Sequence, residues 1–136
     1  MISSRSIDVP QTVNVSLDCR NFRSNTSDYT NVKGSNNKWY SYKYTGGTDS
    51  KGNVTVKKGT PTDILVTIHA DARYNVNDTN VTNDPKGDIS RSHAEKTATF
   101  SDNARDEETD IYYQVTVVDN VANVTFLADP KIDNVR

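Results

Sequence analysis

Four residues near the middle of the chain carry the side chains best suited to chemistry: His69, Asp71, His93 and Glu95. Residues two apart on a strand share a face. If the strand ending at His69 and Asp71 lies antiparallel to one beginning at His93 and Glu95, two imidazoles and two carboxylates meet at one rim. That set suits zinc or another divalent transition metal. A second cluster is Asp102, Asp106, Glu107, Glu108 and Asp110, an acidic connection of the kind that offers oxygen ligands to calcium. It lacks the EF-hand spacing, and Arg105 interrupts it, so a solvated loop is the simpler reading. A third set is aromatic: Trp39, Tyr40, Tyr42 and Tyr44, a row able to stack on a glycan or another protein, or else to line a core with hydroxyls at its rim. Cys19 is the single cysteine, so no internal disulfide forms, and a buried small hydrophobe describes it better than a reactive thiol.

No motif places these groups in an enzyme. Gly-x-Ser-x-Gly, the phosphate-binding glycine loop and His-Glu-x-x-His are all missing. The expectation is a chain without catalytic residues and without a resident cofactor beyond a divalent ion. Six Asn-x-Ser/Thr triplets, at Asn14, Asn25, Asn53, Asn77, Asn80 and Asn123, read as a by-product of a chain rich in Asn, Val and Thr. A net charge of −2 argues against nucleic acid, which calls for a basic face. The lack of an eighteen-residue apolar run argues against a membrane-spanning helix. No signal peptide opens the sequence, which makes it soluble and cytoplasmic as written, or extracellular if a leader has been removed.

The elements that must position these residues are strands. The chain is rich in Val, Ile, Thr and Tyr. Residues 11–19, 38–45, 53–57, 63–69, 72–77 and 95–101 alternate with the period of half-buried strands. The segment 20–37 is a long polar loop that Phe22, Tyr29 and Val32 can pin to the body, and Asn83–Gly87 is the strongest turn signal. The best-patterned stretch is Ile111–Ala128. With Asp119-Asn120 as a two-residue loop, Val117 faces Ala122, Val115 faces Val124, Tyr113 faces Phe126 and Ile111 faces Ala128, all apolar. Pro130 then ends the ladder and Ile132 tucks the tail onto the body.

The unit from Val54 to Ile68, with its Lys58-Gly59 turn, resembles the opening of bacterial immunoglobulin-like domains. Tyr113-x-Val115-x-Val117 resembles their penultimate strand. From about Val54 onward the chain is also similar to short bacterial proteins that end a strand pair with Asp-Pro-x-Ile-x-Asn, here Asp129 to Asn134. The resemblance implies a fold and no chemistry. It leads to one domain over 1–136: an antiparallel immunoglobulin-like β-sandwich of about seven to nine strands with a C-terminal hairpin. Its parts are an N-terminal arm (1–10), the polar loop (20–37) and an immunoglobulin-like portion (52–136).

The functional expectation is a non-catalytic interaction or structural module that binds protein, a second copy of itself included, through edge strands or the N-terminal arm. The alternatives are a carbohydrate-binding module using the tyrosine row and a small metal-binding protein using the histidine rim.

Overall fold

The structure, a computed structural model, describes residues 11–106, 108–128 and 131–135, with the backbone alone at 108–110 and 131–135. The N-terminal arm, Glu107 and Asp129-Pro130 lie outside the described residues, as do the side chains of Glu108, Asp110 and Ile132.

Every described element is a strand: β1 (Gln11–Arg20), β2 (Thr30–Lys33), β3 (Trp39–Gly46), β4 (Val54–Lys57), β5 (Thr62–Ile68), β6 (Tyr74–Thr82), β7 (Ile89–His93), β8 (Thr97–Asp102), β9 (Glu108–Asp119), β10 (Val124–Ala128) and β11 (Lys131–Val135). They form two sheets. One runs β2-β3-β1-β5-β8-β7; the other runs β10-β9-β11-β4, with β6 also paired to β9. Pairing is antiparallel except at β1–β5 and β4–β11, which are parallel. The chain is therefore all-β and mostly antiparallel, with more strands than the sequence suggests. The short polar strands β2 and β7 and the Pro-preceded β11 carry no local alternation that would betray them.

Alternation explains the core. Val15, Leu17 and Cys19 of β1, Ile64, Val66 and Ile68 of β5, and Ala98 and Phe100 of β8 point inward from the first sheet. Ile111, Tyr113, Val115 and Val117 of β9 meet them with Val124, Phe126 and Ala128 of β10. Tyr113 is the largest fully buried side chain; its ring packs 4.9 Å from Phe100 and its hydroxyl donates to the carbonyl of Gly52. Gly52 adopts φ +84, and a Cβ there would sit 2.4 Å from the Cβ of Tyr44, so the turn that receives Tyr113 admits only glycine.

The β9–β10 hairpin differs from its expected register. Val124 pairs with Asp119, Phe126 with Val117 and Ala128 with Val115, around a four-residue turn at 120–123 with Asn123 at φ 58. The register is displaced by four residues. Because four is even, every inward residue stays inward except Ala122, which is exposed in the turn. The hairpin is also not the final pair. β11 follows it and lies between β9 and β4, with Ile132 opposite both Ile111 and Val54.

The polar segment after β1 is an ordered flap. It crosses the outer face of β1 and β3 before returning as β2. Ser24 N–H donates to Asn31 Oδ1 (2.8 Å) and Asn31 Nδ2 donates back to the Ser24 carbonyl (3.1 Å). Ser41 Oγ donates to the Phe22 carbonyl (2.8 Å), and the Tyr29 hydroxyl donates to Asp18. Val32 packs on the core and Tyr29 pins the flap, but the Phe22 ring stands 52% exposed. The β2–β3 turn then folds over β10. Ser35 N–H donates to the Thr125 carbonyl (2.8 Å), and Gly34 approaches so closely that a Cβ would meet Val124 at 2.6 Å.

Candidate functional site

The tyrosine row faces inward. Tyr40, Tyr42 and Tyr44 are 3%, 7% and 8% exposed, so they line the sandwich and cannot form a stacking platform; only Trp39, on the opposite face of β3, is exposed, at 41%. The hydroxyls end on buried acceptors and not at an open rim: Tyr40 donates to Asp119 Oδ2 (2.7 Å) and Tyr44 to the Ala128 carbonyl (3.1 Å). Apolar strand β10 opposite them, with Phe126 stacked 4.8 Å from Tyr40, makes the inner face the favourable one.

β5 and β8 are antiparallel neighbours, as the histidine rim requires. But His93 ends β7 and pairs with Ala98, instead of continuing toward His69. His69, Asp71, His93 and Glu95 are all exposed. Among the described residues, no three His, Cys, Asp or Glu side chains are grouped so as to hold a metal ion. Of the acidic connection, Asp102 is buried at the end of β8 and Asp106 is half-buried; the side chains of Glu107, Glu108 and Asp110 are not described. Cys19 is 5% exposed, and burial first, with Asp18 second, pushes its thiol far above the usual range.

What β3 does present outward is a run of cations laid on aromatic rings. Trp39 has the Arg23 guanidinium 5.3 Å and the Lys33 ammonium 4.9 Å from its ring centre. Arg20 lies 3.7 Å from the ring of Tyr29 and 5.5 Å from that of Phe22, and Lys43 lies 5.8 Å from Tyr29. Strand register builds the group: Lys33 pairs with Trp39, and Arg20 with Ser41, whose hydroxyl holds the backbone of Phe22. Lys43 also meets Asp28 at 3.3 Å. It stands between two clefts, one of about 500 Å³ lined by Asp28, Tyr42, Ser50 and Lys51, the other of about 230 Å³ lined by Asp18, Tyr29 and His69. Phe22 was legible only as a pin for the loop, and the cations Arg20, Arg23 and Lys33 were not legible as a group at all. The signal available was the density of charge in that region: residues 20–43 hold five cations against one carboxylate in a chain of net charge −2.

A buried polar hub also escaped the sequence reading. Asp119 is fully buried, with Arg73 bound in fork geometry (Nε to Oδ1 and Nη2 to Oδ2, both 2.8 Å), the Tyr40 hydroxyl at 2.7 Å, and the N–H groups of Val121 and Ala122 at 3.1 and 3.4 Å. Burial alone would raise this carboxyl. The hydrogen bonds from Arg73, then Tyr40 and the two backbone donors, outweigh it and hold the group at about 2. This hub positions the turn, with its carboxylate fully buried.

Among the described residues, no helix is long and apolar enough to cross a membrane. No protein-family model matches the chain, and no curated protein matches it either.

Proposed function

We propose that the chain is an immunoglobulin-like sandwich acting as a non-catalytic module that self-associates. Its contact surface is the cationic–aromatic face of β1–β3. The groups β5-β8-β7 in one sheet and β6-β9-β11 in the other support the immunoglobulin-like reading, since they follow the B-E-D and C-F-G groups of that fold, while β4 joins the second sheet beside β11. Strands β1–β3 extend the free side of β5, and β10 is added beside β9.

The observation that carries the function is the pair of exposed rings, Trp39 and Phe22, flanked by Arg20, Arg23 and Lys33 on one face. Aromatic and Arg side chains are the usual anchors of protein interfaces. The face is strongly basic while the chain is acidic overall, so the remainder of a second copy offers the complementary charge. Such a contact joins two different surfaces and extends head to tail.

Sheet edges are poorer candidates than this face. β6 has its outer edge occupied: Val76 N–H donates to the Glu95 carbonyl (2.7 Å), Lys96 caps the carbonyls of Ala72 and Tyr74, and Arg91 caps that of Thr79. The terminal strands β2 and β7 are short and carry Lys33, Arg91 and His93, which discourages strand addition.

Sedimentation velocity over a range of protein and salt concentrations tests the reading. Association that grows with concentration, weakens with salt and is lost on Phe22→Ala with Trp39→Ala is the expected result. A strict monomer at low salt and high concentration overturns it.

A further inference from the structure

At the other end of the six-stranded sheet, a cleft of about 260 Å³ opens beside the β7–β8 pair, lined by Asp63, Asp88, Asp102, Asn103, Ser90 and Ser101. Among the described residues lining it there is no Lys or Arg. Asp88 is 2% exposed. Its Oδ2 accepts the N–H of Asp106 (3.1 Å), but its Oδ1 is buried with no hydrogen-bond partner. The Asp106 carboxyl lies beside the Asp88 carboxyl, and Asp84 adds a further negative charge nearby.

Two carboxylates side by side, one with a bare buried oxygen, need a proton or a cation between them. The backbone is shaped to hold them. Asn103 N–H donates to the Asp88 carbonyl (3.0 Å), Asp102 Oδ1 accepts from Ala104 N–H (2.8 Å), and Ala104 takes φ 57 to turn the chain back. Asp84 in turn accepts the N–H groups of Asp88 (3.2 Å) and Ile89 (3.1 Å), which orders the other wall. Beside Pro61, Gly87 and Ile89, the polar side chains lining the cleft offer carboxylate, amide and hydroxyl oxygens.

We infer that the gap between the Asp88 and Asp106 carboxyls, beside this cleft, binds a calcium ion, with these two supplying the charged oxygens and neutral oxygens of the 101–106 turn completing the shell. Calcium accepts six to eight oxygens and tolerates neutral ones, so two carboxylates suffice for a weak site, with a dissociation constant on the order of 10⁻⁴–10⁻³ M. Asp88 lies outside the acidic connection that the sequence singles out, and its carboxyl reaches the site only because Ile89 pairs with Asp102.

The test is thermal unfolding of the EDTA-treated full chain with added calcium chloride at neutral pH. The expected result is a saturable rise in Tm of roughly 3–5 °C by about 10 mM calcium. Magnesium should give less, and the rise should vanish in Asp88→Asn and in Asp106→Asn. If Asp88→Asn does not fold, the half-buried Asp106→Asn decides. No shift with calcium up to that concentration overturns the inference, as does an equal shift in Asp106→Asn. A Tm that ignores calcium but falls as pH rises assigns the gap to a shared proton and also overturns it.

Discussion

Two aspartates, Asp119 and Asp88, are equally buried and behave in opposite ways. Asp119 receives a guanidinium fork, a phenol and two backbone N–H groups, and its carboxyl is held at about 2. Asp88 receives one backbone N–H and faces a second carboxyl, and its affinity for a proton is raised. Burial pushes both upward; the number and sign of the partners decides the outcome. A saturated buried anion is a structural pin. An unsaturated one is a vacancy in the hydrogen-bond accounting, and such vacancies mark where ligands and protons go.

Removing the pin is the largest test of that contrast. Asp119→Ala leaves Arg73 and the Tyr40 hydroxyl without their partner and should cost about 3 kcal/mol, measured by urea denaturation. The lower end of the range applies because the Arg73 side chain is 23% exposed and can rehydrate. Asp119→Asn should cost less than Asp119→Ala.

pH separates the two sites by sign. Asp119 has a folded value below its unfolded value of about 3.9, so its stabilisation is full above that pH and is lost as pH falls toward about 2. Asp88 has a folded value above its unfolded one. Its contribution is full below about 3.9 and disappears as pH rises through the raised value. Unfolding curves from pH 2 to 7 should therefore lose the acid limb in Asp119→Asn and the upper slope in Asp88→Asn. In calcium-free buffer at neutral pH, Asp88→Asn should leave stability unchanged or raised, because a neutral amide replaces an unpaired charge.

The smallest effects belong to the surface and the thiol. Trp39→Ala should alter stability by less than about 0.5 kcal/mol while weakening self-association, which would place the ring in binding and not in folding. Cys19 should resist alkylation in the folded protein and react only on unfolding, since burial keeps its thiol protonated.

The parts of this fold that local pattern reveals are those where every second residue is apolar: β1, β3, β5, β8 and β9 lie within one or two residues of their expected spans, except at the start of β9. The faces of β9 and β10 were legible for the same reason. Their register was not, because Asp119 looks like a turn residue until Arg73 and Tyr40 arrive from distant segments to hold it inward. β7, Ile-Ser-Arg-Ser-His, has no apolar face and is a strand only because β8 offers it an edge. The candidate surfaces share that property. Trp39 was singled out with the tyrosines beside it in sequence, yet its working neighbours are Arg23 and Lys33, brought by a flap and a pairing. Asp88 had no visible partner at all until the sheet closed.

The parallel pairing of β11 with β4 has a consequence for synthesis. β4 leaves the ribosome more than seventy residues before β11, which is its one strand partner among the described residues. During that interval Val54 and Val56, both fully buried at the end, belong to a strand with nothing to pair with. The nascent chain must therefore carry an open edge for several seconds at ordinary elongation rates of about 5–20 residues per second. Lys57 and Lys58, with Gly59 after them, stand at the end of that strand as charged gatekeepers against premature pairing with another chain. Closure of the second sheet is thus a late, long-range event, and the slowest folding step should be the seating of β11 between β9 and β4.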